Sequence, residues 1–149
     1  MAEAVITYTK GNIFGSKLQT ITCTVNCMGV MGKGLALEFR RTFSGLLGAY
    51  VGACLRKDLR IGRPWIYKVN DARQVLCFPT KDHWKKPSTY QYIETGLVGV
   101  RQLHLQGELH SLALPPLGCG LGGLEWNQVK PLIEKFVGDL PIPIEVYEP

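Results

Sequence analysis

Residues 24–36 have the sequence TVNCMGVMGKGLA, in which an apolar strand pattern ends at Asn26 and a helical pattern begins at Lys33. Glycine lets a backbone approach a ligand closely, and successive backbone N–H groups in such a turn form a concave site for anions. A helix N-terminus adds a partial positive charge at the same place. The stretch therefore predicts a pocket for a phosphate or another small molecule, and a purely structural turn is the alternative.

A second loop of the same kind follows a later strand. Residues 118–123 have the sequence GCGLGG, so four of six positions are glycine. A cradle of N–H groups between a strand and a helix suits a diphosphate, and a plain turn would explain one glycine more readily than four. Two such loops in one small domain favour a nucleotide-like ligand.

Strand patterns alternate with helical patterns along most of the chain, apart from a central hairpin through Asn70-Asp71. This order predicts a three-layer α/β/α fold around a mixed, mostly parallel sheet, with ligands beyond the carboxyl ends of the strands. We predict that Pro79 ends its strand and that Ser88 caps a long helix. The expected strands are residues 4–8, 20–26, 64–69, 73–78, 111–117 and 143–147, and the expected helices are 33–43, 44–57, the one after Ser88, and 126–137.

The chain of 149 residues is long enough for one domain with a substantial core, which we expect over residues 1–149. Hydrophobic residues make up 46% and charged residues 19%, which indicates an ordinary soluble globular protein. No apolar run reaches the roughly 20 residues that span a bilayer, and we find no secretory signal. The five cysteines form no C-x-x-C pair and are interpreted as reduced core thiols of a cytoplasmic protein. We expect a monomer without a metal ion.

The net charge of +5 is concentrated in one segment. Between Arg56 and Lys86 lie nine of the 17 Lys and Arg residues but only three of the 12 Asp and Glu residues. A localised basic surface suits a polyanion such as nucleic acid. A solvated basic face without a partner explains the composition equally well.

Lys81 follows Pro79-Thr80 at the same end of the predicted sheet as the two glycine loops. A lone loop lysine is usually a solvated charge, but burial or a nearby cation lowers the amine pKa from about 10.4 and makes it a nucleophile or a base. The sequence His83-Trp84-Lys85-Lys86 comes next. Aromatic side chains among cations are typical of surfaces that bind single-stranded nucleic acid, whereas a packed tryptophan beside solvated lysines is the simpler interpretation.

Four motifs together resemble those of a macrodomain, the ADP-ribose-binding α/β/α fold. They are Gly11-Asn12-Ile13-Phe14 after the first strand, Val25-Asn26 at the end of the second, residues 31–36 (MGKGLA), and residues 117–126 (LGCGLGGLEW). The resemblance covers essentially the whole chain. It points to the branch that contains terminal ADP-ribose protein glycohydrolase, and within it to the antitoxin macrodomains of DarT–DarG toxin–antitoxin systems, which remove ADP-ribose from bases of single-stranded DNA.

The resemblance implies a role for each of these motifs. Lys81 should be the catalytic residue, and His83, Trp84, Lys85 and Lys86 should contact DNA. The implied substrate-binding residues are Asn12 and Ile13 for the adenine, Asn26 for the distal ribose, Met31, Gly32, Lys33 and Gly34 around the ribose and phosphates, Thr80, and Gly118, Cys119, Gly120, Leu121, Gly122 and Gly123 around the diphosphate.

Two positions depart from the family pattern. The family usually has Asp at the place of Asn12, whose amide can still accept a hydrogen bond from the adenine amino group, so recognition should be weakened rather than lost. The protein-directed glycohydrolase pairs its lysine with an Asp in the second glycine loop, where this chain has Gly122. That departure favours the DNA-directed activity. Two alternatives stay open, a non-catalytic ADP-ribose-binding macrodomain and a glycohydrolase acting on protein-linked ADP-ribose.

The implied partners are ADP-ribose, ADP-ribosylated single-stranded DNA and a cognate ADP-ribosyltransferase toxin, with no cofactor and no membrane. Related antitoxins carry a second, toxin-binding domain, so the chain is open to being the N-terminal fragment of a longer antitoxin. The sequence does not choose between thymine and guanine as the modified base. It also leaves open whether Lys81 acts as a nucleophile or as an acid or base.

Overall fold

The computed structural model describes residues 5–149, so the expected strand residue Ala4 lies outside the described part. Within that part, a six-stranded sheet has the spatial order β1-β6-β5-β2-β4-β3. All neighbouring strands are parallel except β3, which is antiparallel to β4. The predicted mixed, mostly parallel sheet is therefore confirmed. Its strands are β1 (Val5–Thr9), β2 (Thr20–Asn26), β3 (Trp65–Lys68), β4 (Gln74–Lys81), β5 (Leu112–Leu114) and β6 (Pro143–Tyr147).

Helices cover both faces of the sheet. The alternation of side chains along β4 defines the two faces, because Leu76 and Phe78 belong to one core cluster and Val75 and Cys77 to the other. The predicted three-layer architecture is therefore confirmed. None of the helices within residues 5–149 is both long and apolar enough to cross a bilayer. On the Val75 face lie α1 (Gly34–Thr42) and α2 (Leu46–Arg56), and on the Leu76 face lie α3 (Tyr90–Leu105) and α4 (Trp126–Val137).

Several predicted boundaries agree with the structure. Strands β2 and β6 and helix α4 begin and end at the predicted residues. The predicted hairpin joins β3 to β4, where Asn70 Oδ1 accepts a hydrogen bond from Ala72 N at 2.8 Å and Val69 N donates to Arg73 O at 3.0 Å. Local turn chemistry thus explains the one antiparallel pair of the sheet.

The prediction that Pro79 ends β4 is wrong. Strand β4 continues through Pro79 and Thr80 to Lys81, paired with β2. On its other side, β3 reaches no further than Trp65, which pairs with Cys77. Beyond Cys77, β4 is therefore an edge strand, where a residue without an N–H group is tolerated. As a result, Lys81 lies on a strand and not in a polar loop.

A β-bulge interrupts the pairing of β2 with β4 at this end. Val25 pairs with Pro79, but the next residue, Asn26, pairs with Lys81, so Thr80 is an extra residue on β4. A bulge changes the direction of the side chains that follow it. It places Lys81 directly beside Asn26, the last residue before the first glycine turn.

The prediction that Ser88 caps α3 is wrong by one residue. Thr89 is the N-cap, and its side chain accepts a hydrogen bond from Tyr92 N at 3.2 Å. Ser88 is buried, and its N–H group donates to Gly122 O at 3.0 Å. Its Oγ atom has no hydrogen-bond partner among residues 5–149. Ser88 therefore connects the start of α3 with the glycine-rich segment that follows β5.

Candidate functional site

Three connections lie side by side at the carboxyl ends of the central parallel strands. We call them the first glycine loop (residues 27–34, after β2), the lysine loop (residues 82–88, after β4) and the second glycine loop (residues 118–124, after β5). They are neighbours because β5, β2 and β4 are adjacent in the sheet. This is the edge at which open α/β sheets bind their ligands.

Direct contacts join the three loops. Cys27 N, in the first glycine loop, donates to Asp82 O in the lysine loop at 3.3 Å. A Cβ atom on Gly34 would lie 3.3 Å from Leu121 Cδ1, so the two glycine loops also approach each other. The structure therefore brings the predicted diphosphate and ribose segments together with the lysine.

Asn26 holds the first glycine loop in place with its side chain. Its Oδ1 atom accepts hydrogen bonds from Met28 N (2.9 Å) and Val30 N (3.4 Å), and its Nδ2 atom donates to Val30 O (2.8 Å). The Tyr50 hydroxyl, from α2, donates to Asn26 O at 2.6 Å and lies 2.9 Å from Asn26 Oδ1. One amide hydrogen remains for a ribose. Sequence reasoning predicted the ligand contact and missed this structural role.

The rest of the first glycine loop presents its backbone to solvent. Gly29 and Gly34 have φ angles of +80° and +57°, which favour glycine. Met31 is buried in the core beneath the loop, whereas Gly32, Lys33 and Gly34 are exposed. The loop is therefore attached to the core at Met31 and open over residues 32–34, the part predicted to contact the ligand.

The second glycine loop is held by backbone hydrogen bonds and by close packing around its glycines. Leu124 N donates to Gly118 O at 3.0 Å, and Gly123 N donates to Gly120 O at 3.1 Å. A Cβ atom on Gly122 would lie 2.3 Å from Gly118 O and 2.4 Å from Ser88 Oγ. There is thus no room at position 122 for the Asp side chain of the protein-directed glycohydrolase.

Three other predicted ligand residues differ in exposure. Leu121 is 69% exposed, whereas Thr80 is buried. Cys119 is half-buried, and burial raises the pKa of its thiol, so the group is neutral near pH 7. A ligand would meet the Leu121 side chain directly and would reach Thr80 only at its backbone.

Lys81 extends from the end of β4 with a half-buried side chain. Its Nζ atom donates to Trp84 O at 3.4 Å, within the lysine loop. It forms no ion pair with any residue between 5 and 149. Its charge is therefore not neutralised by a described carboxylate and can act on a ligand held between the glycine loops.

The lysine loop carries an aromatic and cationic cluster. The rings of His83 and Trp84 stack with centroids 5.5 Å apart, and Lys85 Nζ lies 5.0 Å from the Trp84 ring centroid. Trp84 is 45% exposed, and Lys85 and Lys86 are exposed as well. The tryptophan is therefore not packed in the core, which removes the simpler interpretation of this motif.

Exposed apolar side chains surround the three loops. Single exposed apolar residues are normal, but several on neighbouring loops present a larger apolar surface to a ligand. This apolar rim was not predicted from the sequence, because the exposure of these side chains depends on the folded structure. Its members are Met28, Val30, Trp84, Tyr90 and Leu121.

Asn12 and Ile13 lie beyond the end of β1, at the same edge of the sheet. Asn12 is exposed, and its Oδ1 atom accepts a hydrogen bond from Phe14 N at 2.9 Å as the cap of a short 3-10 turn. Its second lone pair remains for an adenine amino group. Ile13 is buried, so an adenine would meet its backbone. Adenine binding by this pair stays a prediction.

A separate cleft of about 680 Å³ lies between β3 and α3. It has two carboxylates, Asp58 and Glu108, and no glycine loop that follows a parallel strand. We therefore place the functional site at the three loops and not at this cleft. The cleft is lined by Asp58, Gly62, Arg63, Pro64, Trp65, Ile66, Gly99, Gln102, Leu103, Gln106 and Glu108.

Residues 23–133 match the family model of the Macro domain, which is well over half of the chain. The chain belongs to the macrodomain family. Its structure is similar to the macrodomain of Mycobacterium tuberculosis DarG, with a TM-score of 0.92 and 36% sequence identity, covering 97% of this chain and 98% of that one. The resemblance predicted from the four motifs is therefore confirmed.

Two further comparisons extend beyond the macrodomain itself. The structure of Thermosipho africanus DarTG in complex with ADP-ribose matches with a TM-score of 0.91 and 39% identity, covering 97% of this macrodomain and 41% of that chain. A DNA ADP-ribosyl transferase–DNA ADP-ribosyl glycohydrolase fusion protein from the same species is 39% identical over 94% of this macrodomain. The chain spans 41% of the length of that fusion protein.

Proposed function

We propose that this macrodomain is a hydrolase that removes ADP-ribose from nucleobases of single-stranded DNA, with Lys81 as the catalytic residue. The observation that carries the proposal is the position of Lys81, which pairs with Asn26 across the β-bulge and has no described carboxylate partner. Two comparisons support the substrate class, since one relative is named as a DNA ADP-ribosyl glycohydrolase fusion and one similar structure holds ADP-ribose.

The two glycine loops would hold the diphosphate and the distal ribose. Each loop leads into a helix, α1 at Gly34 and α4 at Trp126, whose N-terminal N–H groups favour an anion. The first loop is fixed by Asn26 and the second by its own backbone bonds, so both would be formed before the ligand arrives. Preformed positioning of this kind accounts for a large part of enzymatic rate acceleration.

The bond to break joins the anomeric carbon of the distal ribose to a ring nitrogen of the base. The base departs with the electron pair of that bond, so positive charge develops on the sugar, as in glycoside hydrolysis. Water adds its oxygen to the anomeric carbon, and the departing base gains a proton. The products are ADP-ribose and the restored base in DNA.

Lys81 would act on the leaving base in this reaction. A cationic Nζ atom near the ring nitrogen stabilises the departing electron pair and can donate the proton. The alternative, attack of a neutral amine on the anomeric carbon, requires a group that removes a proton from Nζ. The Nζ atom donates no hydrogen bond to a carboxylate or imidazole among residues 5–149. We therefore favour the acid role.

The geometry of the second glycine loop argues against protein-linked ADP-ribose as the substrate. The protein-directed glycohydrolase that the sequence resembles has its partner carboxylate in the second glycine loop, and the crowding at Gly122 leaves no room for a side chain at that position. The exposed ring of Trp84 suits a nucleobase, because every base has a flat apolar face that can stack on an aromatic ring.

Replacement of Lys81 tests the proposal. We expect Lys81→Ala to slow release of ADP-ribose from an ADP-ribosylated single-stranded oligonucleotide by about 100-fold or more, because general acid catalysis contributes on that order. Calorimetry should show ADP-ribose affinity within about twofold of the wild type, since the loops are unchanged. Lys135→Ala, which removes an exposed lysine at the far end of α4, is the matched control.

Three outcomes would contradict this assignment. Full activity of Lys81→Ala would remove Lys81 from the chemistry. Binding of ADP-ribose without release by the wild type would support a non-catalytic binding macrodomain. Trapping of a covalent adduct on Lys81 by borohydride would replace the acid role with nucleophilic attack.

A cognate DNA ADP-ribosyl transferase is the partner we propose. The Thermosipho africanus relative joins the transferase and the glycohydrolase in one protein, which supports a functional pair. We also propose that the protein acts in the cytoplasm, since its cysteines are free thiols and a reducing compartment keeps them so. Co-purification of the chain with a DNA ADP-ribosyl transferase from the same organism would test the pairing.

A further inference from the structure

A second group of cations lies outside the site described above. We call it the basic turn, residues 57–63, which follows α2. Lys57, Arg60 and Arg63 are exposed. The one acidic residue of the turn, Asp58, forms an ion pair with Arg56 at 2.9 Å. The other three cations form no ion pair with any residue between 5 and 149, although Arg60 and Arg63 also help to lower the pKa of the Asp58 carboxyl. Three cations against one carboxylate leave the turn positively charged, so it can attract an anionic partner.

The basic turn is held in a fixed conformation. The N–H groups of Asp58 and Leu59 both donate to Ala53 O, at 3.0 and 3.2 Å, and the Leu59 side chain is buried. Arg60 Nη1 donates to Lys57 O at 2.7 Å. A short antiparallel bridge joins Arg60 to Arg63. A partner would therefore meet cations on an ordered turn, with little entropy to lose from the backbone.

The basic turn lies beside the candidate site. The turn follows α2, which contacts the first glycine loop: the Tyr50 hydroxyl donates to Asn26 O at 2.6 Å, and a Cβ atom on Gly29 would lie 3.4 Å from Val51 Cγ2. The Cys27 N–H group donates to Asp82 O, directly after Lys81. The first glycine loop thus connects α2, and the turn that follows it, with the end of β4. Lys57 is close enough to Cys27 to oppose the increase that burial causes in the pKa of its thiol.

The order of the strands places the basic turn on one side of Lys81. The two glycine loops follow β2 and β5, whereas Lys81 is on β4 and the turn leads into β3. Asn12, the residue implied for the adenine, lies beyond β1 on the other side of the glycine loops. With the adenine there, a base attached to the distal ribose would extend toward β4. The DNA on either side of that base then passes the lysine loop and the basic turn.

We propose that the basic turn binds backbone phosphates of the single strand that carries the modified base, through Lys57, Arg60 and Arg63. This inference rests on the proposed function for the identity of the partner. It adds a DNA contact surface to the lysine loop and explains why the basic residues concentrate between Arg56 and Lys86. Phosphate contacts of this kind position a strand without reading its sequence.

A triple variant tests the inference. In Lys57→Gln/Arg60→Gln/Arg63→Gln, fluorescence anisotropy should show at least about tenfold weaker binding of an unmodified single-stranded oligonucleotide at low salt. The slope of log affinity against log salt should decrease by about 2, since each phosphate contact to a single strand contributes about 0.7. The affinity for free ADP-ribose, measured by calorimetry, should not change, and circular dichroism checks that the variant is folded.

The matched control removes three exposed lysines from other parts of the surface, Lys17→Gln/Lys68→Gln/Lys135→Gln. It lowers the net charge by the same amount and should reduce the salt slope much less. Equal losses in the two triple variants, or no loss in either, would overturn the inference. The two proposals can fail separately. If the wild type does not release ADP-ribose from DNA, the proposed function is wrong. If the turn variant nevertheless loses DNA affinity and the control variant does not, the basic turn is still a DNA-binding surface.

Discussion

The two glycine loops form one site but are stabilised in opposite ways. The first is held by polar side chains, since the Asn26 side chain makes hydrogen bonds to Met28 and Val30 and the Tyr50 hydroxyl donates to the backbone carbonyl of Asn26. The second is held by close backbone packing that is possible only because Gly122 has no side chain, since no Cβ atom fits at that position. The first loop should therefore be sensitive to the loss of side-chain atoms and the second to their addition.

This difference also explains how each loop would meet its ligand. A loop held by an asparagine keeps a polar side chain next to the ligand, and one amide hydrogen is left for a ribose hydroxyl. A loop held by backbone packing presents mainly N–H groups, which suits a diphosphate. The groups that stabilise each loop therefore also decide its ligand: a side-chain amide for the ribose in the first loop, and backbone N–H groups for the diphosphate in the second.

The largest effect is expected from Gly122→Asp. The new Cβ atom would lie 2.3 Å from Gly118 O, so the loop must move, and we expect a loss of about 3 kcal/mol in the free energy of unfolding. The affinity for ADP-ribose should fall by at least about tenfold, because the diphosphate cradle is displaced. Urea denaturation and calorimetry measure the two effects.

Gly123→Ala is the control for that substitution. A Cβ atom on Gly123 would meet nothing within 4 Å, so the cost is only the strain of a φ angle of +81°, about 1 kcal/mol. Equal destabilisation by the two variants would show that crowding does not hold the second loop.

A smaller effect is expected from Asn26→Ala, which removes the hydrogen bonds that hold the first glycine loop. We expect a loss of about 2 kcal/mol in the free energy of unfolding, since a net hydrogen bond contributes about 1 kcal/mol and several are lost. ADP-ribose affinity should fall as well. Asn127→Ala, at an exposed position on α4, should change neither quantity. Unchanged stability of the Asn26 variant would mean that the loop is held by its backbone alone.

The smallest effect concerns the chemistry of Cys27 and leaves stability unchanged. Burial, followed by the Asp82 carboxylate, raises the pKa of the Cys27 thiol to about 11. Far less thiolate is present at pH 8 than in a free cysteine with a pKa of about 8.5, so alkylation by iodoacetamide should be about 100-fold slower. The rate should rise steadily up to about pH 11. Mass spectrometry of the labelled peptide measures it, and a rate that levels off near pH 8.5 would contradict the prediction.

Hydrophobic patterns were sufficient to predict the sheet, the layers and most helix positions. The bounds of β2, β6 and α4 follow from alternation and helical spacing, which are local properties of the chain. The end of β4 could not be predicted locally. Pro79 is tolerated only because β3 ends opposite Cys77, and that length is decided by a different segment.

The candidate site was predicted in part. The glycine loops and Lys81 could be found because clustered glycines and the ends of apolar strand patterns are visible in the sequence. The hydrogen bonds of Asn26 to its own loop, the contact of Ser88 with Gly122 and the apolar rim depend on which segments meet in space. The basic turn shows the same limit, because its charge was visible in the sequence and its place beside Cys27 was not.

The bulge at Thr80 has an evolutionary consequence. In a regular strand, successive side chains point to opposite faces of the sheet, so no point substitution upstream can change the face that a later residue occupies. An insertion or deletion of one residue changes it at once. The bulge acts as such an insertion: without it, regular alternation would pair Thr80 with Asn26 and turn Lys81 to the opposite face, whereas with it Lys81 pairs with Asn26. Which side chain stands beside Asn26 is therefore decided by the number of residues in β4, and a single inserted residue is enough to exchange one for another.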